Sequence, residues 1–360
     1  MTLTQRFGFI FALSLNVIPV LPGRAIVCGQ SVATVGDETT TFSLHPENPH
    51  YFLYRSRPTI LVTSAEHYGA VLNLDFDYKT YLRTLAEDGL NYTRIFTGTY
   101  VEVPGSFGIE HNTLAPKPGR FITPWKRSDL PSAYPGETKL DLSQWNEDYF
   151  ERLRSFLRCA HEHGIIVEIT LFCSTYADDS WNRHPFNPVN HLHGVEGALS
   201  RRQSTTLANE SLSRVQKRFV EKIVREVNEF DNLFFEIQNE PWADHGTYAD
   251  RVLKTVYPKQ AKGDWFKWAE VADEASLAWQ TMVATTIAET EQTLPKRHLI
   301  AQNYCNFRHS IAYVSPRVSV LNFHYAWPET VGMNWGWNRP IGFDESGFSG
   351  TDDDEYLKQA

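Results

Sequence analysis

Positive charge is in short supply in this chain. Its 34 Lys and Arg stand against 43 Asp and Glu, a formal net charge of −9 over 360 residues, so the basic footprint that nucleic-acid phosphates require is missing. No nucleic-acid partner is expected. Cysteine is scarce too: Cys28, Cys159, Cys173 and Cys305 are scattered without metal-ligand spacing and are too few for a disulfide scaffold. Most read as small buried hydrophobes, with a Cys173–Cys305 bridge open to them in an oxidising compartment. His161 and His163 in "CAHEHG" lack the HExxH spacing of a zinc helix, and they end a helix, where imidazoles suit the dipole. A Gly-rich phosphate turn is also absent. The stretch "SAEHYGAVLN" after the first strand holds nothing like GxGxxG, which argues against a dinucleotide-binding sheet. The apolar run Phe7 to Leu21 is short for a membrane span and is broken by Pro19. With Arg6 before it and Gly23 and Ala25 after it, the run reads as a signal peptide over residues 1–25, and the expected location is secreted or periplasmic. An uncleaved membrane anchor is the alternative.

Aromatic rings, by contrast, are abundant: 10 Trp, 16 Tyr and 22 Phe. Most must lie in a core, but the load also suits a cleft in which ring faces stack on sugars. After a polar linker over 26–41, "TFSLHPENPHYFLYRSRP" reads as a hairpin that plugs one end of the domain. Strands and helices then alternate. Strands are expected at 58–64, 92–98, 165–172, 232–238, 298–304, 318–325 and 340–346, and helices at 77–90, 142–164, 210–230 and 266–294, with a weaker one near 306–314. Such alternation points to a parallel sheet, and seven units over about 300 residues predict an α/β TIM (β/α)8-type barrel running over 42–360. The strand count stops at seven, so the expected barrel is truncated after strand seven and its eighth β/α unit is not present in this chain. The open seam this implies predicts poor expression or activity, cured by extension downstream. The acidic run Asp352 to Glu355 reads as the first turn of a helix.

In such a barrel the active site forms at the carboxyl ends of the strands. "NLFFEIQNEPW" ends strand four in Asn239 and Glu240, and "GFDES" ends strand seven in Glu345. An Asn-Glu-Pro triplet alone arises by chance in roughly one chain in twenty of this length. A second Glu closing another strand across the barrel sharpens the signal, because two converging carboxyls are what glycoside hydrolysis needs.

These residues resemble those of clan A glycoside hydrolases of the cellulase-like, family five type. The resemblance spans most of 42–348 and implies a retaining β-glycosidase, with Glu240 as acid/base and Glu345 as nucleophile. It also implies that Asn239 binds the hydroxyl next to the reacting carbon and that Arg94 in "YTRIF" supports the nucleophile's charge. The family's His and Tyr on strand six correspond to His324 and Tyr325 in "NFHYAW". Here the two are adjacent, so alternation along a strand allows only one, His324 by preference, to face the site. "LFCST" at the end of strand three lacks the His found in many members.

Further substrate-binding candidates are Glu66, His67 and Tyr68 after strand one, Trp242, and Trp335 and Trp337 in "GMNWGWN". The rings read equally as stacking platforms or as packing. The segments 100–140 and 174–209 read as walls of the cleft. The expected partner is a carbohydrate substrate, with no cofactor and no metal. The runner-up is a catalytically inactive carbohydrate-binding barrel. A metal-dependent hydrolase ranks third, since only His67 and His324 stand where such ligands would.

Overall fold

The computed structural model describes residues 41–63, 67–133, 136–193, 195–197, 199–251 and 268–345. The expected signal peptide, all of the expected linker but Thr41, Cys28, Glu66 and the run 352–355 lie outside the described residues.

The chain enters through β1 (Ser43–Leu44), β2 (Phe52–Tyr54) and β3 (Arg57–Thr59), an antiparallel sheet. Then come α1 (Tyr78–Glu87), β4 (Tyr92–Phe96), β5 (Trp125–Pro131), β6 (Thr138–Trp145), α2 (Glu147–Glu162), β7 (Ile166–Cys173), α3 (Asp178–Trp181), β8 (His191–Leu192) and α4 (Glu210–Val227). The remainder is β9 (Leu233–Asn239), α5 (Trp242–His245), β10 (Gly246–Arg251), β11 (Trp268–Ala272), α6 (Glu274–Glu291), β12 (Ile300–Asn306), β13 (Val320–His324), α7 (Glu329–Asn334) and β14 (Ile341–Glu345). Six strands, β4-β7-β9-β12-β13-β14 in spatial order, pair in parallel, and they correspond to the expected strands two to seven.

Alternation along each strand separates two cores. On β7, Val167, Ile169 and Leu171 point outward and join Phe150, Leu153, Phe219 and Ile223 of α2 and α4 in the main apolar cluster. The inward positions are layered. Tyr92, Ile166, Phe234, Ala301 and Val320 form a floor, closed by Phe42, Phe52 and Tyr54 of the β1–β3 sheet. Above them lies a buried polar layer of Arg94, Glu168, Glu236, Asn322 and Asp344. The plug holds that polar layer away from water, which makes every charge in it costly unless it is paired.

Several boundaries differ from the sequence expectation. The first strand, expected at 58–64, is not a regular strand: β3 covers only Arg57–Thr59, and Ile60–Val62 follow β4 through the Asn91 amide, which donates to Ile60 O at 2.8 Å and accepts from Val62 N at 2.8 Å. The expected helix 142–164 starts only at Glu147, because Leu140 and Leu142 are buried with the period of a strand in β6. Likewise 268–272 form β11, and α6 begins where the Asp273 side chain caps Ser276 N. No helix forms at 306–314; α7 lies after β13 instead. Cys173 and Cys305 are free thiols. They sit on β7 and β12 with β9 between them, and two strand spacings of about 4.8 Å exceed the reach of a disulfide. Cys159, read as a simple buried hydrophobe, is disulfide-bonded. Among the described residues no helix is long and apolar enough to cross a membrane.

Candidate active site

Phe96, Cys173, Asn239 and Glu345 end four parallel strands on one face and line a single cavity of about 280 Å³ together with Glu240 and Tyr325. Glu240 and Glu345 meet at His324. The ring Nδ1 lies 2.8 Å from Glu240 Oε1 and 3.1 Å from Glu345 Oε2, and the three groups lie within 4.8 Å of one another.

Local backbone breaks create this convergence. Asn239 ends β9 as a strand residue, but Glu240 has φ +45°, and Tyr325 after His324 has φ +50°. Each leaves the alternating pattern, so consecutive side chains can share one face. Both Tyr325 and His324 therefore serve the site, contrary to the expectation that only one would: the Tyr325 hydroxyl donates to Glu345 Oε1 at 3.4 Å. A bulge does the same for β14. Phe323 pairs with Phe343 but His324 with Glu345, so Asp344 is passed over, turned into the polar layer, and Glu345 is carried level with His324.

Glu240 is tightly held. Its backbone N donates to Asn303 Oδ1 at 2.9 Å, and its Oε2 accepts from the Tyr176 hydroxyl at 2.8 Å. Tyr176 in turn accepts from Asn239 Nδ2 at 2.7 Å, and Asn239 Oδ1 accepts from Arg94 at 2.7 Å. Arg94 is fully buried. It donates to Glu236, and its guanidinium stands 3.7 Å from both Asp344 and Glu345.

Charge follows from this geometry. Burial would raise the Glu240 carboxyl, but the hydrogen bond and charge of His324, with the Tyr176 and Tyr325 hydroxyls, bring it below the ordinary range. Glu345 goes the other way. Burial lifts it to about 7, with the charge of Glu240 and Asp344 adding and that of His324 and Arg94 opposing. His324, despite burial, is held well above its ordinary value by Glu345 and Asp344. The geometry thus sets His324 between two carboxyls of unequal proton affinity, Glu345 the higher and Glu240 the lower. This is the reverse of the roles the resemblance implies at the moment of bond cleavage. Deeper down, burial with the charge of Glu236 and Asp344 holds the Glu168 carboxyl well above the ordinary range. Two sets, Glu240–His324–Glu345 and Glu168–Glu236–Asp344, have ligand atoms close enough to hold a metal ion, but His324 and Arg94 already supply positive charge at these positions.

The other candidates divide. His67 lines the cavity, packed edge-on to Tyr81 and against Phe76. Trp242 is buried and meets the His324 ring edge-on at 5.6 Å, so it positions the imidazole and offers no stacking platform. Trp335 and Trp337 lie away from the cavity. Trp335 stacks on His50 at 3.6 Å, and Trp337 donates from Nε1 to Ile311 O at 3.2 Å. Both follow α7, which turns them toward the flank of the barrel. Tyr68, named with Glu66 and His67, lines the cavity, and its hydroxyl accepts from Arg94 Nη1 at 3.4 Å. Sequence reasoning missed Tyr176 and Asn303. Their only signal was position just beyond or near the end of a strand, and Tyr176 stands where "LFCST" offered no His.

No known family profile and no curated protein matches the chain. Solved structures do. A protein of Bacteroides vulgatus ATCC 8482 classed as a glycoside hydrolase superposes with a TM-score of 0.54 at 14% identity, covering 86% of this chain and 48% of that one. A glycoside hydrolase family 5 protein of the same strain gives 0.46 at 10% identity, covering 85% and 53%. A mutant of a family 5 mannosidase from Rhizomucor miehei gives 0.48 at 12%, covering 84% and 72%. The chain spans about half the length of the two Bacteroides structures. At these identities the likeness is one of architecture alone: the chain has the α/β fold of the first of these structures, whose own description is that of a glycoside hydrolase.

Proposed function

We propose that the chain is a retaining β-glycosidase, cleaving O-glycosidic bonds of a polysaccharide or oligosaccharide through Glu240 and Glu345. One observation carries the reading: the two carboxyls approach within 4.8 Å, beside the about 5–5.5 Å of retaining enzymes and well under the about 6.5–9.5 Å that inverting ones leave for water. In the first step Glu345 attacks the anomeric carbon as Glu240 protonates the departing oxygen, and a glycosyl ester forms. In the second, Glu240 takes a proton from water, the water oxygen displaces Glu345, and the sugar leaves with its configuration retained. Arg94 steadies the charge on Glu345. Because His324 Nδ1 reaches both carboxyls, it gives a proton a path from Glu345 to Glu240 when substrate arrives. Asn239, fixed by Arg94 and Tyr176, is placed to bind the neighbouring hydroxyl. The N-terminal sequence supports export.

The higher proton affinity of Glu345, the reverse of what a resting nucleophile needs, favours a second reading, a barrel that binds sugar without cleaving it. Hydrolysis of aryl β-glycosides and polysaccharides, with the anomer of the first product followed by NMR, separates the two. Glu345→Gln is expected to abolish turnover with the fold intact, Glu240→Gln to slow mainly substrates with poor leaving groups, and a chelator to leave activity unchanged. Wild-type turnover in both variants would remove the reading.

A further inference from the structure

The cavity that holds the two carboxyls has a built wall on one side. Residues 100–114 leave β4 and turn back over the site. Tyr100, Val101 and Leu114 pack with Leu72, Phe96 and Phe121 in a separate apolar cluster. The wall is pinned by backbone contacts: Glu102 N donates to Leu114 O at 2.8 Å, and Gly69 N donates to Thr113 Oγ1 at 3.1 Å. Into the cavity it presents Glu102, only 5% exposed. Its Oε1 accepts from the Tyr100 hydroxyl at 3.1 Å and its Oε2 from Asn112 Nδ2. Burial pushes this carboxyl up, and the two hydrogen bonds oppose that. A carboxyl is seldom buried without an ion-pair partner, and Glu102 is in none of the ion pairs among the described residues. Two donors leave lone pairs on its oxygens facing the cavity. At the rim stands Phe107, 68% exposed and with φ +55°, edge-on to Tyr176 at 5.4 Å. A strained, exposed ring beside a functional group is where backbone strain tends to be kept for use.

We propose that this cavity takes the terminal sugar of a chain at its non-reducing end, with Glu102 accepting from the hydroxyls remote from the cleaved bond and Phe107 covering the ring face. The inference rests on the glycosidase reading and deepens it. The sugar that is attacked must lie against Glu240 and Glu345. The 100–114 wall closes the cavity beyond it, and the volume of about 280 Å³ falls just below the range of drug-sized ligand pockets, about 300–1,000 Å³. With the leaving group at the mouth, the 100–114 wall stands where a further unit on the far side would lie. The enzyme then removes units from chain ends and is a poor cutter of chain interiors. Glu102 acts as a specificity residue: a site that pairs a buried carboxylate with sugar hydroxyls rejects a sugar lacking them.

Binding and hydrolysis test this separately. Cello-, xylo- and mannotetraose are titrated by calorimetry into the Glu345→Gln protein, each with its terminal non-reducing unit free or O-methylated, and wild-type protein is assayed on the matching polysaccharides for viscosity and reducing ends. The expected result is binding of at least one free-ended tetrasaccharide, loss of at least tenfold on terminal methylation, and release of reducing ends without an early fall in viscosity. Adding Glu102→Gln, isosteric and able to keep the loop, should weaken the free-ended sugar at least tenfold but the methylated one no further, with unchanged thermal unfolding. In the wild-type background Glu102→Gln should raise KM with kcat nearly constant. Equal binding of free and methylated ends, an early viscosity drop, no saccharide binding, or a Glu102→Gln protein that binds like its parent would overturn the proposal. End-selective binding without hydrolysis would sink the catalytic reading and leave this one standing; hydrolysis inside chains would do the reverse.

Discussion

At the residue scale, the site is a set of groups held in charge states that water would not give them. Glu345 illustrates the cost. Its carboxyl, ordinarily near 4.5, sits at about 7. A carboxyl that keeps its proton longer in the folded than in the unfolded chain makes the folded state lose stability as pH rises between those values, and the loss persists above them. Glu345→Gln, neutral throughout, escapes it. The variant should therefore be more stable than wild type above about pH 7, by up to about 3 kcal/mol, and no more stable than wild type below about pH 4. Thermal unfolding of both proteins at the two extremes decides the matter; parallel pH profiles would count against the coupling described. Sequence position named Glu240 and Glu345 because strand ends in a barrel face one rim, and the family resemblance added the roles of Asn239 and Arg94. It could not name Tyr176, or admit Tyr325 beside His324, because period-two reasoning assumes a regular strand and both side chains hang on residues with positive φ.

At the element scale, the helices were the most legible parts. Asp77, Asn209 and Asp273 cap α1, α4 and α6 with their side chains, and such signals are local. β6 and β11 were read as helix because their pairing partners, β5 and β10, are not local in pattern. The 100–114 wall is also a tertiary object. It approaches the turn after the first barrel segment so closely that a Cβ on Gly69 would lie 2.1 Å from Thr113 O, a backbone atom with no rotamer to change. Gly69→Ala should force the wall outward, costing about 1–3 kcal/mol of stability as overpacking does and lowering kcat/KM on small glycosides at least tenfold. Thermal unfolding and aryl-glycoside kinetics measure the two effects; an unaltered kcat/KM would mean that the wall does not shape the site.

At the scale of the whole molecule, the parallel sheet has a weak flank. β14 pairs with β13 on one side; beside it a groove of about 410 Å³ runs to Ile60 and Leu61, lined also by His50, Phe52, Trp335 and Phe343. Ile60, Trp335 and Phe343 are exposed along it, and Val62, two residues on from Ile60, is exposed too. Among the described residues no strand pairs with the other edge of β14, and apolar side chains beside such an edge promote association. The protein should bind an apolar dye and self-associate with rising concentration, and Ile60→Lys with Val62→Lys should reduce both. Light scattering checks this; identical scattering by parent and variant would place the association elsewhere.

What the amino-acid order determined by itself was whatever depends on neighbours in the chain: the alternation of apolar strands and capped helices, the α/β barrel class, and the polar residues that close each strand. Tertiary structure alone decided which of those residues meet. The approach of Glu240 and Glu345 comes from two strands about a hundred residues apart in the sequence, aligned by the bulge in β14 and bridged by His324. Their unequal affinity for a proton comes from burial beside Arg94, His324 and Asp344. Electrostatic interaction depends on distance and on the exclusion of water, and neither exists until the barrel has formed.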